Sequence, residues 1–300
     1  MDQRNYRFLA CCLAFLGCSS GGNSHPCAPG GERCACYGNG TCDQGLECRS
    51  DMCVSNGTND SGTPGLGGGQ GGGASNSTGG GSGDSGVACT PAPPNILAWW
   101  PGDGNAKDVV GDHDGVLTGA TTFESGHVDA GFRLVGASVS GVLVPSSPTF
   151  NIQQVTIEAW VFPRSYPNEA PTILRRDRDA NGNSQYILAL WNTGQASCNI
   201  GKFAVPTGGT VSLGIWSHVA CTYDGSVAKL YVNGALVSEA DGGQPIPTSS
   251  RGLGIGTQAD YPIERQFDGT LDEVTLYSRS LSASEITAIF GAGSAGKCRP

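Results

Sequence analysis

Thirteen cysteines, sorted along the chain into groups of three, six and four, constrain this sequence more than any other feature. Cys11, Cys12 and Cys18 fall at the N-terminus. Cys27, Cys34, Cys36, Cys42, Cys48 and Cys53 form a tight cluster, and Cys89, Cys198, Cys221 and Cys298 are spread over the rest. So many thiols suit a compartment in which they oxidise, not a cytosol that keeps them reduced. The N-terminus agrees. Arg4 and Arg7 precede an uncharged apolar run over residues 8–17, which is long enough for the core of a secretory signal and too short to span a bilayer.

That run ends in Phe15-Leu16-Gly17-Cys18, followed by Ser19-Ser20-Gly21-Gly22. The stretch resembles a bacterial lipobox, with Phe15 standing where that family usually has Leu. The resemblance implies that residues 1–17 are a signal peptide, that Cys18 is lipidated after cleavage, and that 18–26 is a short tether. An ordinary signal peptide cleaved nearby, with Cys18 a free thiol, is the alternative. Loss of Cys11 and Cys12 with the signal, and of Cys18 to lipid, leaves the groups of six and four, so every remaining thiol can pair.

Residues 27–53 have the spacing C-x6-C-x-C-x5-C-x5-C-x4-C, filled with Gly, Asn, Asp and Ser. So short a segment cannot bury enough apolar area to fold unaided, and three disulfides would hold it. It resembles an EGF-like or knottin-like module, with its connectivity open. Zinc is disfavoured, because the paired C-x2-C knuckles of zinc modules are missing and a secreted chain matures where thiols oxidise. Residues 54–88 follow as a Gly/Ser-rich linker. It has almost no apolar residues and cannot form a core. Within it, Gly83-Asp84-Ser85-Gly86 matches a serine-protease motif by chance of composition, and the glycine runs near Gly67 lack the strand and helix that a phosphate loop needs.

From residue 89 to 300 the pattern changes to short apolar runs bounded by Gly, Asn, Asp and Pro. Strands are expected at 96–99, 141–144, 155–162, 172–175, 186–190, 219–223, 230–232 and 271–277. Asn233-Gly234 and Asp224-Gly225 are hairpin turns between them. Val219, Cys221 and Tyr223 share one face. Many short strands at this spacing predict an all-β, two-sheet antiparallel sandwich or barrel. One short C-terminal helix is expected over 282–290. Ser282-Ala283-Ser284-Glu285 is its capping box and Gly291 its stop.

Trp216-Ser217-His218-Val219-Ala220-Cys221-Thr222-Tyr223-Asp224-Gly225, with Leu230-Tyr231-Val232-Asn233-Gly234 after it, resembles the laminin-G-like, concanavalin A-type jelly rolls. So do Thr156-Ile157-Glu158-Ala159-Trp160-Val161, Phe267-Asp268-Gly269-Thr270-Leu271-Asp272-Glu273-Val274 and Leu281-Ser282-Ala283-Ser284-Glu285-Ile286. The resemblance covers about 96–290 and implies a two-sheet jelly roll. Its termini would lie close together, so Cys89 and Cys298 would clasp the ends and leave Cys198 to pair with Cys221. It also implies a structural Ca²⁺ where the loop after the first strand meets the closing strand. Asp103 and Asp272 are the positions expected there, with Asn105 and Asp108 as neighbouring oxygen donors. Calcium needs six to eight oxygens, and this loop is rich in them. The alternative is that these are turn residues bonding their own backbone.

Catalysis is not expected. The E-x-D-x-x-E strand motif of glucanases on this fold is missing. Asp272 and Glu273, being adjacent, would point to opposite faces of a strand. His25, His113, His127 and His218 show no metal-ligand spacing. Asp177-Arg178-Asp179-Ala180-Asn181-Gly182 matches half an EF-hand loop but has Leu188 where Glu belongs. For sugar stacking, Trp99, Trp100, Trp191 and Tyr261 are available, whereas Trp160 and Trp216 are expected in the core. No ligand site can be assigned. The net charge of −9 argues against nucleic acid, which needs a basic surface.

The expected protein is therefore a monomer held at a bacterial cell envelope or surface, touching membrane only through its lipid, or else secreted. It would bind a glycan or a surface or matrix protein and have no enzymatic activity. A structural envelope protein and a non-catalytic accessory to glycan degradation are the alternatives.

Overall fold

The computed structural model describes residues 46–49, 52–55, 89–176, 185–201, 204–259 and 265–300. The signal, Cys18, Cys27, Cys34, Cys36, Cys42, the linker beyond Ser55, the 177–182 loop and Tyr261 lie outside them. The chain divides into two compact units, 1–66 and 67–300. In the first, β1 (Leu46–Arg49) and β2 (Met52–Ser55) pair antiparallel, with Cys48 opposite Cys53.

The second unit is a sandwich. Its strands are β3 (Ile96–Trp100), β4 (Val116–Gly119), β5 (Thr122–Ser125), β6 (Ala130–Leu134), β7 (Ser140–Val144) and β8 (Val155–Ser165). They continue as β9 (Thr172–Arg176), β10 (Tyr186–Leu190), β11 (Ala196–Ile200), β12 (Thr207–Gly208), β13 (Ser217–Tyr223) and β14 (Val227–Val232). The last are β15 (Ala235–Asp241), β16 (Leu253–Ile255) and β17 (Asp268–Tyr277), followed by helix α1 (Ala283–Gly291). One sheet has seven strands in the order β12-β11-β10-β9-β16-β7-β4. The other has eight, in the order β15-β14-β13-β8-β17-β6-β5, with β3 also paired to β17. Every ladder between named strands is antiparallel.

Alternation along each strand builds the interior. On β8, Ile157, Ala159 and Val161 enter the core with Val219, Cys221 and Tyr223 of β13, and Leu174, Leu188 and Ile255 answer from the opposite sheet. Cys198 on β11 and Cys221 on β13 form a fully buried disulfide that joins the two sheets. Cys89 and Cys298 form the second. Around it the ends run side by side. The Cys298 N–H donates to the Thr90 carbonyl at 2.7 Å, and the Thr90 N–H to the Gly296 carbonyl at 2.9 Å.

The Asn233-Gly234 turn has φ of 50° and 76°, the two positive values that a type I′ hairpin demands. The Asp224-Gly225 turn differs. Three residues connect β13 to β14, and the Asp224 carboxylate accepts the Ser226 and Val227 N–H groups at 2.8 Å. Side-chain capping thus replaces the second positive φ. Ser282 and Glu285 form the capping box. Gly291, expected to stop the helix, is its last residue instead. The Ala292 N–H still reaches the Ala288 carbonyl, and the left-handed glycine is Gly293 at φ 53°.

Candidate functional site

Both faces of the eight-stranded sheet are covered at its centre. While Ile157, Ala159 and Val161 point inward, Glu158, Trp160 and Phe162 point out. Over this outer face, Leu281, Ile286 and Ile289 of the helix segment pack on Ala220, Tyr231 and Tyr277 in a second apolar cluster. Beside it lie two features, an aromatic strip and a network of charges.

The strip begins at His127, in the turn from β5 to β6. Its ring stacks on Trp160 with 3.6 Å between centroids and 26° between planes. Trp216 lies 5.8 Å from His127 and 5.4 Å from Phe162, and Phe290 lies 5.8 Å from Trp160 on its other side. Trp160 is buried, but Phe162, Trp216, His127 and Phe290 are each partly open to solvent. At one end the Arg164 guanidinium sits 5.4 Å over the Phe162 ring and bonds the Glu124 carboxylate at 2.7 and 3.1 Å. The structure thus reverses the expected assignment of Trp99, Trp100 and Trp216, while Trp160 is in the core as expected and Trp191 is half-buried. Trp99 and Trp100 have no exposed surface, and Trp216 keeps an open face.

The charge network centres on Glu158, which is fully buried. Its carboxylate accepts from Lys297 Nζ at 2.7 Å, lies 3.1 Å from His218 Nε2, and accepts from the Tyr277 hydroxyl at 3.4 Å. Burial alone would raise the Glu158 pKa, but the Lys297 ammonium and the hydrogen bond with His218 outweigh it and hold it at about 2. Lys297 also lies 3.5 Å from Glu273 and 4.7 Å over the Trp99 ring. Arg299 bonds Asp103 and, at 3.2 Å, Glu273, with its guanidinium 5.3 Å from Trp99. Lys297 and Arg299 flank Cys298 in an extended segment, so both cations turn one way and the sulfur the other. No motif announces this arrangement. Its only trace in the sequence is Glu158, an acid in the middle of an apolar strand.

Asp272 and Glu273 do not alternate as expected. A bulge in β17 puts Glu273 at φ 56°, and the register against β8 shifts between Asp272 and Thr275. The Glu273 charge therefore acts on Asp272. Burial, partly opposed by the Val128 N–H, together with the Glu273 and Asp103 charges, pushes the Asp272 pKa up to about 8.

The four expected calcium donors do not converge. Asp108 Oδ1 accepts the Trp99 and Val110 N–H groups at 2.9 and 3.0 Å, and Oδ2 faces the His113 ring and N–H at 3.2 Å. Asn105 is exposed and bonds its own turn through Lys107 N–H and Asp103 O. Asp103 lies near enough for its charge to act on Asp272. Asp103 Oδ1, however, takes the Ala130 N–H at 3.1 Å and Oδ2 takes Arg299, while Asp272 Oδ2 takes the Val128 N–H at 2.8 Å. Only Asp272 Oδ1 lacks a hydrogen-bond partner. Among the described residues no three His, Cys, Asp or Glu side chains gather as a metal site. As they stand, these residues do not fit a calcium ion, because Asp108 is spent on backbone N–H groups, Asn105 on its own turn and Asp103 on Ala130 and Arg299.

A shallow cleft of about 340 Å³ opens nearby, between the β13–β14 hairpin and the start of α1, lined by Thr222, Lys229, Tyr231 and the Arg279 and Glu285 pair. The buried carboxylates of the network do not line it.

A family model described as the concanavalin A-like lectin/glucanases superfamily matches residues 136–287, just over half of the chain. No curated protein matches the sequence. Among solved structures, domain 4 of a GH43 extracellular arabinanase from Geobacillus stearothermophilus, in complex with arabinotriose, is similar. It has a TM-score of 0.53 and 20% identity over 64% of this chain and 97% of that one. A Trypanosoma rangeli sialidase is similar with a TM-score of 0.53 and 19% identity, over 68% of this chain and 34% of the sialidase. The binding domain of Paraclostridial Mosquitocidal Protein 1 is similar with a TM-score of 0.52 and 17% identity, over 65% of this chain and 52% of that one. This chain thus spans about a third of the sialidase and half of the toxin domain. At these identities the likeness is one of fold.

Proposed function

The chain belongs to the concanavalin A-like lectin/glucanases superfamily, and from that premise we propose that residues 89–300 are a non-catalytic glycan-binding module carried at a bacterial cell surface. The observation that carries this reading is the half-open strip of Phe162, Trp216, His127 and Phe290 on the outer face of the eight-stranded sheet. A sugar ring has an apolar C–H face and a polar rim. Aromatic faces receive the first, and polar groups at the edge of a site receive the second. The Arg164 and Glu124 pair at the end of the strip supplies such an edge. Solved relatives in fold include an arabinanase domain with arabinotriose bound and a sialidase with sialic acid.

The absence of catalysis belongs to the same proposal. Glycoside hydrolysis needs two carboxyls flanking a substrate cleft. Glu158, Asp272 and Glu273 instead lie buried beneath Lys297, Arg299 and Trp99. Surface attachment through a lipid on Cys18, and adhesion as the outcome, complete the proposal. Both described disulfides suit an extracellular setting.

A second reading, contact with a protein, has its own support. Edge strand β4 exposes Val116 (62%) and Leu117 (38%), which an added strand or apolar surface would cover. A glycan-array screen of the full chain, run with calcium and again with EDTA, separates the two. Binding to a defined sugar class in either condition supports the module. A folded sample that binds nothing in both overturns glycan recognition for the sugars displayed and favours the β4 edge.

A further inference from the structure

We propose that the cleft between the β13–β14 hairpin and the start of α1 is a second ligand site, and that it takes a sugar unit bearing a carboxylate. The proposal does not depend on the aromatic strip. It starts from three polar side chains that the fold leaves uncommitted. Thr222 and Lys229 stand directly opposite one another in the β13–β14 ladder, and Tyr231 follows Lys229 by two residues, so all three share the outer face of the sheet and line the cleft. Thr222 is 1% exposed and Tyr231 2%. Yet among the described residues neither hydroxyl has a hydrogen-bond partner, and the Lys229 ammonium has neither a hydrogen bond nor an ion pair. Buried hydroxyls are ordinarily paired, so two that meet in one cleft call for a partner from outside the chain.

The acids around Lys229 are already spent. Asp224 accepts the Ser226 and Val227 N–H groups of its own turn. Glu285 is held by Arg279 and by the Ser282 N–H and hydroxyl. Glu239, opposite Lys229 on β15, closes no salt bridge with it. One uncommitted cation beside two free hydroxyls is a donor set for a single anion. Size and lining select the carrier of that anion. The cleft holds about 340 Å³, the lower end of the range for small-ligand pockets, and its wall is mostly polar. Strands β13 and β14 are flanked by strands on both sides, so neither offers a free backbone edge to a peptide. A sugar ring with one carboxylate suits such a wall. The carboxylate accepts from Lys229, and the ring hydroxyls exchange hydrogen bonds with Thr222 and Tyr231.

The test titrates the full chain with methyl β-glucuronide and with its neutral counterpart, methyl β-glucoside, by isothermal calorimetry. Wild type is compared with Lys229→Ala, Thr222→Val, Tyr231→Phe and Trp216→Ala, each with its thermal midpoint. Wild type should bind the glucuronide about tenfold or more tighter than the glucoside, and Lys229→Ala should remove that preference, the size expected of a hydrogen bond to a charged group. Thr222→Val and Tyr231→Phe keep shape and lose only a hydroxyl, and each should weaken glucuronide binding by about threefold to tenfold. Trp216→Ala should leave it unchanged, which keeps the fate of the cleft separate from that of the strip. Absent or equal binding of the two sugars, or a glucuronide preference that survives in folded Lys229→Ala protein, overturns the proposal. Loss of glucuronide binding in Trp216→Ala would place the acid on the strip instead. Acetyl-aspartate amide that competes for the cleft more tightly than the glucuronide would assign it to a protein carboxylate, and the sugar would be wrong.

Discussion

The interior of the sandwich and the outer face of its eight-stranded sheet are built on opposite principles. Between the sheets, Phe132, Leu134, Ile157, Val219, Leu271 and their neighbours form one apolar core closed by the disulfide of Cys198 and Cys221. On the outer face, the alternate residues of the same strands bury Glu158, Asp272 and Glu273 against Lys297 and Arg299 and leave aromatic rings half open. An apolar core stabilises in proportion to the area it buries. A buried ion network is a weak source of stability, because desolvation cancels most of its attraction, and breaking one partner is expensive. The difference teaches that the interior specifies the fold, whereas the outer face is a charged assembly that depends on the C-terminal strap.

Four changes test that contrast. Lys297→Ala leaves the Glu158 carboxylate buried without its ammonium partner and should cost about 3–5 kcal/mol in denaturant unfolding. A loss well under that would mean water or His218 compensates, and the outer face is looser than described. Leu271→Ala, on the inner face of the same strand as Asp272 and Glu273, should cost about 2–5 kcal/mol by cavity formation. Its effect should be independent of pH, unlike that of Lys297→Ala. Replacing both Cys89 and Cys298 with alanine should cost about 2–4 kcal/mol and should also make Lys297→Ala milder, since the strap is then already loosened. Non-additivity of that pair, measured as a double-mutant cycle, tests the coupling directly.

The fourth is the pH dependence. Asp272 has its folded pKa raised to about 8 from an ordinary 3.8, so its contribution is fully present below about pH 4 and is lost as pH rises toward 8. Glu158 is shifted the other way, to about 2 from 4.5, so its contribution is present above pH 4.5 and is lost as pH falls toward 2. Between pH 5 and 8 Asp272→Asn should therefore flatten the fall in stability by up to about 1 kcal/mol per pH unit. Parallel curves for wild type and variant would remove Asp272 from the explanation.

Much of the interior was legible in the sequence, and little of the outer face. All eight expected strands exist, Tyr186–Leu190 to the residue, because their apolar runs are bounded by turn residues. Strands β4, β5, β6, β11, β12 and β16 were not foreseen, and β15 was implied only by the Asn233-Gly234 hairpin turn. Thr122–Ser125 lies at a sheet edge with one apolar residue, and Leu253–Ile255 is three residues long with glycine at its centre. The two disulfides of the sandwich follow the pairing that family resemblance implied. The ion network joins Glu158 to Lys297 across 139 positions, a distance no local pattern spans. The aromatic strip escaped for the same reason, since Trp160, His127, Trp216 and Phe290 come from four separate elements. Asp108, read from the sequence as a calcium donor, has its carboxylate taken up by backbone N–H groups, the ordinary work of a turn aspartate that no local pattern distinguishes from metal ligation.

The glycan reading stands or falls with Trp216, whose open face makes it the centre of the strip. The decisive measurement is the affinity of the full chain for its array-identified oligosaccharide, compared between wild type and Trp216→Ala, with unfolding midpoints measured alongside. Loss of about 2 kcal/mol of binding, the size of an aromatic hot spot and roughly thirtyfold in Kd, with a retained midpoint, is the expected result. Unchanged affinity in a folded Trp216→Ala protein would contradict it and move the binding site off this face of the sandwich.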